Sequence, residues 1–205
     1  LLKESDVIIL AVSDKAINPL AEELSREVMK RGKIPLLVHT SGATSIEALD
    51  SYPFHGVFYP LMTLSKIKPV DFRLVPFMIE SSDKEGEEIL AGIVYSMGAE
   101  HKISTSEERL KLHLAAVFVS NFVNYLTGLA FDLSVPNQVL LTPLAIETVR
   151  KAFLYEHPSM VQTGPAKRGD METIEKHLKL LEGKEEHKLV YETLSKLIKE
   201  QKKNK

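Results

Sequence analysis

Hydrophobic and polar positions change period once along this chain. In the first half, short continuous apolar runs alternate with helical patterns. Val7 to Val12 (VIILAV) and Ile34 to Val38 read as strands covered on both faces, and the pattern between them, Lys15 to Lys30, keeps Ile17, Leu20, Ala21, Leu24 and Val28 at helical spacing, with Gly32 as its stop. A strand–helix–strand unit of this kind predicts a parallel sheet. Ser45 to Leu49 predicts a short helix, and Gly56 to Tyr59, Pro76 to Glu80 and Ala99 to Ile103 predict further strands. Asp83 is placed to cap a helix ending before Gly98.

From Thr105 the pattern is helical throughout. Glu107 to Tyr125 (EERLKLHLAAVFVSNFVNY) predicts one long helix running on to about Ser134, with Ser104 or Thr105 and Glu107 or Glu108 as a capping box. It is apolar on most faces, as a core helix is. At about 100° per residue, however, Arg109, His113, Ser120, Asn121 and Asn124 fall in one sector roughly 120° wide. Buried polar groups need partners, so this stripe faces a ligand, a partner chain or an internal network. Helices are further predicted from Thr142-Pro143 to about Tyr155, from Met171 to Glu182 behind an Asp170 cap, and from His187 to about Gln201. The predicted fold is α/β plus all-α, with domains at 1–103 and 104–205.

Composition narrows the chemistry. Over 205 residues, 44% are hydrophobic, the formal net charge is −2 and there are no cysteines. That charge gives no electrostatic case for nucleic acid or an anionic membrane, and without cysteine there is no disulfide, thiolate metal site or thiol nucleophile. The seven histidines form no metal-binding spacing, so no metal is expected, and no G-x-S-x-G elbow is present. A soluble, cytoplasmic chain is the expectation. The chain opens Leu-Leu-Lys directly before a buried-type strand, so a preceding natural segment is expected.

Ligands of open parallel sheets bind beyond the carboxyl ends of the strands. Val12-Ser13-Asp14 and His39-Thr40-Ser41-Gly42 are two such ends, small enough for close approach of a flat or phosphate-bearing ligand and equally consistent with ordinary turns. None of the ten glycines makes a G-x-G-x-x-G loop. A dinucleotide's pyrophosphate would therefore need a site upstream of Leu1. Thr163 to Asp170 (TGPAKRGD) places Lys167 and Arg168 in a Gly/Pro-shaped loop, which suits a carboxylate or phosphate, or serves only as structure. His177, alone on its helix, fits packing better than ligation.

VHTSGATSIEAL, GVFYPLMTLSK, LHLAAVFVSNFVN and TGPAKRGD, in this order, resemble the Rossmann-like proteins carrying the C-terminal domain of unknown function 2520. Those are similar in architecture to pyrroline-5-carboxylate reductase and the 6-phosphogluconate dehydrogenase C-terminal-like superfamily. The resemblance spans nearly the whole chain. It implies an NADP- or NAD-binding domain, here entered at about its fourth strand, and a helical domain that forms a homodimer. By that resemblance Ser13, His39, Ser41 and Gly42, with Val12 beside them, bind the cofactor. His113 and Asn121 act on the reacting carbonyl, the first as proton donor, a role that suits an imidazole near neutral pH. Lys167 and Arg168 bind substrate, joined by Asn124 of the same stripe. Many relatives carry His-Pro-Leu-Gln-Thr-Phe where this chain has Tyr59-Pro60-Leu61-Met62-Thr63-Leu64, a departure in imidazole and amide. The implied activity is oxidoreduction of a small carbonyl, imine or hydroxy-acid substrate; the rival is a nucleotide-binding sensor without turnover.

Overall fold

The computed structural model describes residues 5–29, 34–65, 69–155 and 157–201; the expected helix stop at Gly32 lies outside them. Five strands form one sheet in chain order: β1 (Val7–Leu10), β2 (Leu36–His39), β3 (His55–Pro60), β4 (Phe77–Ser81) and β5 (His101–Ile103). β1, β2 and β3 pair in parallel, with Leu10 opposite His39 and His39 opposite Val57. Their carboxyl ends therefore share one edge.

One pair departs from the parallel arrangement expected. β4 runs antiparallel to β3, Val57 opposite Glu80, and β5 is parallel to β4. A parallel return needs a crossover of a dozen or more residues, usually helical. Helix α1 (Asp14–Val28) supplies one between β1 and β2, and α2 (Lys84–Ser96) another between β4 and β5. The described part of the segment from β3 to β4 has only the three-residue 3-10 turn Phe72–Leu74, so the chain doubles back.

Both sheet faces are covered. Leu36, Val38, Phe58, Phe77 and Ile79 pack against Leu90 and Val94 of α2. Leu10 and Leu37 pack against Ile17, Ala21 and Val28 of α1, with Leu49 and Tyr52 completing that layer. The α2 cap is as read from sequence: Asp83 accepts from the Gly86 N–H at 2.9 Å, and Gly98 ends the helix at φ 67°.

The long helix runs from Ser106 to Ser134 as α3 (Ser106–Val117), a π-helical turn (Phe118–Phe122) and α4 (Val123–Ser134). Thr105 and Glu108 close the capping box. α3 is seated by Arg109, which is 1% exposed. Its guanidinium pairs with Glu80 of β4 and donates to the Thr44 carbonyl at 2.7 Å and to Ser106 Oγ at 3.0 Å. Ser106 in turn donates to the Glu80 carboxylate through Oγ at 2.8 Å and its N–H at 3.0 Å.

By compactness the chain falls into units 1–124 and 125–205, a division inside α4 rather than at the change of pattern near 104. The second unit holds α5 (Thr142–Leu154), the short turns α6 (Pro158–Val161) and α7 (Pro165–Arg168), α8 (Met171–Leu180) and α9 (Glu185–Glu200). The two short turns lie where the sequence suggests only loops. Within this unit the Tyr125 hydroxyl bonds Glu186, and His177 Nδ1 meets the Tyr191 hydroxyl at 2.8 Å. Among its described residues only Ala166 and Leu181 are buried hydrophobics.

Removing one partner of a buried ion pair leaves the other charge stranded, at about 3–5 kcal/mol. Glu80→Ala should therefore lower the unfolding free energy by about that amount in urea titration. Lys111→Ala, which breaks the exposed Lys111–Glu107 pair on the same helix, should cost less than about 1 kcal/mol.

Candidate functional site

Three stretches meet at the carboxyl edge of β1, β2 and β3. The first is Ala11 to Ser13. Val12 is 43% exposed, and Ser13, the N-cap of α1, makes no side-chain cap bond. Its hydroxyl is thus uncommitted to the helix.

The second is the turn after β2. His39 is fully buried and lies inside the turn. The Ser41 N–H donates to Nδ1 at 3.1 Å, which leaves the proton on Nε2, 3.4 Å from the Ser45 carbonyl. Burial, and then the Arg109 guanidinium, push its pKa down to about 4 against the opposing pull of the Ser45 carbonyl, Asp14 and Glu80. With both nitrogens taken by backbone, His39 shapes the turn. The Ser41 hydroxyl accepts from the N–H groups of Ala43 at 3.2 Å and Thr44 at 3.0 Å. The amides of Ser41, Ala43 and Thr44 are thereby satisfied from within, so the turn suits a flat, weakly polar ligand better than a phosphate.

The third is the end of β3, which the long helix overlies. One helical turn of four residues climbs about 6 Å, close to the roughly 6.6 Å spanned by two strand residues. The helix therefore meets this side of the sheet in successive rungs. Arg109 bonds Glu80, which is opposite Val57; His113 Nδ1 lies 3.1 Å from the Tyr59 hydroxyl; and Ser120 Oγ lies 2.8 Å from Thr63 Oγ1. Three of the five stripe residues thus belong to an internal network. Asn121, within the π-turn, and Asn124, beyond it, are exposed; such turns recur at functional sites.

Gly42 completes this corner. A Cβ there would stand 2.5 Å from His113 Nδ1 and 2.7 Å from Tyr59 Cζ, so the turn can approach the helix only with glycine. The structure brings Gly42 and His113 together, and adds Tyr59, which the sequence marks only as a departure from the imidazole of relatives and not as a site residue. The usable signal was its position at the carboxyl end of a third parallel strand, where the rule applied to the first two strands also holds. Burial raises the Tyr59 pKa, partly offset by Arg109, so the phenol keeps its proton near neutral pH.

Lys167 and Arg168 belong to the second unit. Lys167 Nζ is 3.4 Å from the Ser159 carbonyl, and Arg168, exposed, is 3.9 Å from Asp170. Gly164 at φ 103° and Gly169 at φ 73° bracket the α7 turn that carries them. Asp170 caps α8 through the Thr173 N–H at 3.0 Å. An open groove of about 560 Å³ in this unit runs from Glu147 and Lys151 to Gln162 and Thr163; neither Lys167 nor Arg168 lines it. Among the described residues, no three histidine, aspartate or glutamate side chains group closely enough to hold a metal ion.

The family described as Domain of unknown function (DUF2520) matches residues 75–198. Among solved structures, a protein named as a candidate NADP oxidoreductase from Bacteroides fragilis is 36% identical, with a TM-score of 0.84 over 95% of this chain and 75% of its own. A Thermotoga maritima protein is 24% identical at a TM-score of 0.66, over 95% and 76% of the two chains. Pyrroline carboxylate reductase from Plasmodium falciparum, with NADP bound, is 12% identical at 0.55, over 98% and 79%. The last two share the fold: a mostly parallel, Rossmann-like sheet followed by a helical region. No curated protein matches the chain.

Because its pKa is about 4 in the fold and about 6.5 when unfolded, His39 binds a proton more readily in the unfolded chain. Its contribution is full above about pH 6.5 and is lost as pH falls towards 4, at most about 3 kcal/mol. Chemical unfolding across that window should show stability falling in the wild type and a flatter profile in His39→Asn.

Proposed function

The chain belongs to the DUF2520 family, and on that premise we propose that it is an oxidoreductase moving hydride between NADP or NAD and a small carbonyl, imine or hydroxy-acid substrate. The observation that carries this reading is the corner where Gly42, at the carboxyl edge of a parallel sheet, comes against His113 of the long helix. The 36%-identical Bacteroides fragilis protein supports it. Val12, Ser13, Ser41 and Gly42 would line the nicotinamide half of the cofactor, with His39 holding their turn. The amides of Ser41, Ala43 and Thr44, already bonded within that turn, do not fit the pyrophosphate. The cofactor, when bound, supplies the hydride.

In this reading His113 gives a proton from Nε2 to the substrate oxygen or nitrogen as charge develops there, the ring being doubly protonated at that step with Nδ1–H donating to the Tyr59 oxygen, and Asn121, exposed on the same helix, orients that atom, with Asn124 beside it as a substrate contact. Lys167 and Arg168, on their own unit's geometry, are an anion-binding pair for a carboxylate or phosphate. Arg168 is held only loosely by Asp170 and keeps donors for a bidentate partner.

We further propose a cytoplasmic homodimer. By length and composition the Ser106–Ser134 helix could cross a membrane, with a mean hydropathy of 1.5 over its most apolar window. Its first half, however, is bonded to the sheet unit through Arg109, His113 and Ser120, which favours protein over lipid as its neighbour. Phe131, Leu144, Ile146, Phe153 and Leu189 of the helical unit are all exposed. An apolar surface of that kind calls for a partner, and a second copy covers it symmetrically.

Absorbance at the reduced-nicotinamide band, followed against a panel of ketoacids and imines, tests the activity. Turnover should appear and fall about 10²–10⁴-fold in kcat in His113→Ala; no turnover with any substrate of these classes, or an undiminished His113→Ala, overturns the reading. Arg168→Ala should raise KM by the equivalent of about 1.5–3 kcal/mol with an unchanged melting temperature. Sedimentation at micromolar concentration should give the mass of a dimer.

A further inference from the structure

We infer that Tyr59 is a positioning residue for His113: its hydroxyl donates to Nδ1, fixes the neutral ring in the Nε2-protonated tautomer and leaves Nε2–H as the donor available to a ligand. The use of that donor rests on the proposed oxidoreductase reading; the tautomer does not.

The geometry carries the assignment. The Tyr59 oxygen lies 3.1 Å from Nδ1, and the two rings stand edge to face with centroids 5.9 Å apart. This is the one hydrogen bond of either side chain among the described residues, so none of those competes for the phenol proton or for Nδ1. A phenol is a better donor than acceptor, and an imidazole nitrogen is the stronger acceptor of the two. The proton therefore sits on Tyr59, and the ring keeps its own on Nε2. Which imidazole nitrogen is protonated is set by the bond the other makes. Gly42 closes the arrangement from a third element, since any Cβ there would occupy the space of His113 Nδ1 and Tyr59 Cζ. The Thr63–Ser120 hydroxyl pair at 2.8 Å ties the same two stretches together further along. The phenol thus sits on one framework with the imidazole and holds its orientation.

Nitrogen-15 NMR of the whole chain, with the His113 signals assigned by their loss in His113→Gln, reads the tautomer directly and needs no substrate. The wild type should show His113 as a single Nε2–H tautomer. Tyr59→Phe, which keeps the ring and loses only the hydroxyl, should lose that single-tautomer signature. Gly42→Ala should do the same by forcing the pair apart, while amide spectra report that each variant is folded. An Nδ1–H tautomer in the wild type, or an unchanged tautomer in folded Tyr59→Phe, overturns the inference. If the tautomer shifts but the wild type turns over no substrate, the oxidoreductase reading fails and the positioning role stands. If the wild type is active, Tyr59→Phe should lower kcat about 10-fold, the rate equivalent of one lost neutral hydrogen bond, and leave KM little changed; an unaffected kcat would remove the catalytic half of the inference.

Discussion

The site depends on one buried ion pair. Arg109 and Glu80 come from elements far apart in sequence, and their contact decides where the long helix lies on the sheet. A guanidinium this deeply placed is tolerated only when its charge is paired and most of its donors are used. Glu80, the Thr44 carbonyl and the Ser106 hydroxyl supply those partners, while Nε has none among the described residues. The same contacts fix the end of the turn after β2, because Thr44 belongs to it and Ser106 Oγ also accepts the Ile46 N–H at 3.0 Å. Helix and turn are thus held from one point. The next helical turn then brings His113 to Tyr59 and Gly42 without a further degree of freedom.

The pair acts at a distance too. The Arg109 charge lowers the basicity of His39, on top of the larger effect of burial, and keeps that ring neutral inside the turn. A neutral His39 can accept the Ser41 N–H; a protonated one would set an N–H against an N–H. The turn that carries Gly42 therefore needs both the desolvation of its histidine and the cation beside it. This is a corner built from polar groups that satisfy one another, and its ligand-facing capacity lies in what they leave over: the Ser13 hydroxyl, the Nε2 side of His113 and the amides of Asn121 and Asn124.

Polar periodicity along the helix was legible in the sequence, and its meaning proved double. Arg109, His113 and Ser120 are bonded within the first unit, whereas Asn121 and Asn124 are exposed. Spacing alone cannot separate the two groups, because residues on one helical face look alike whether the facing surface is protein or solvent. The π-turn at Phe118–Phe122 falls where the stripe passes from one to the other, and no residue in FVSNF announces it, since the extra residue in the turn is accommodated by backbone rather than by a distinctive side chain.

What the sequence determined by itself is what local chemistry decides. The caps at Asp83, Thr105 and Asp170 bond groups three residues away, the helices follow a 3.6-residue apolar period, and the strands are short apolar runs between turn residues. Each of these is settled within a few positions of chain. Tertiary structure alone decided the rest. The antiparallel return of β4 depends on the path of the connection from β3, the inward turn of His39 depends on the core around it, and the partners of Arg109 and His113 lie 29 and 54 positions away. Nothing in a linear pattern encodes a contact between residues so far apart; it exists only after the sheet has set the spacing that one turn of helix can match.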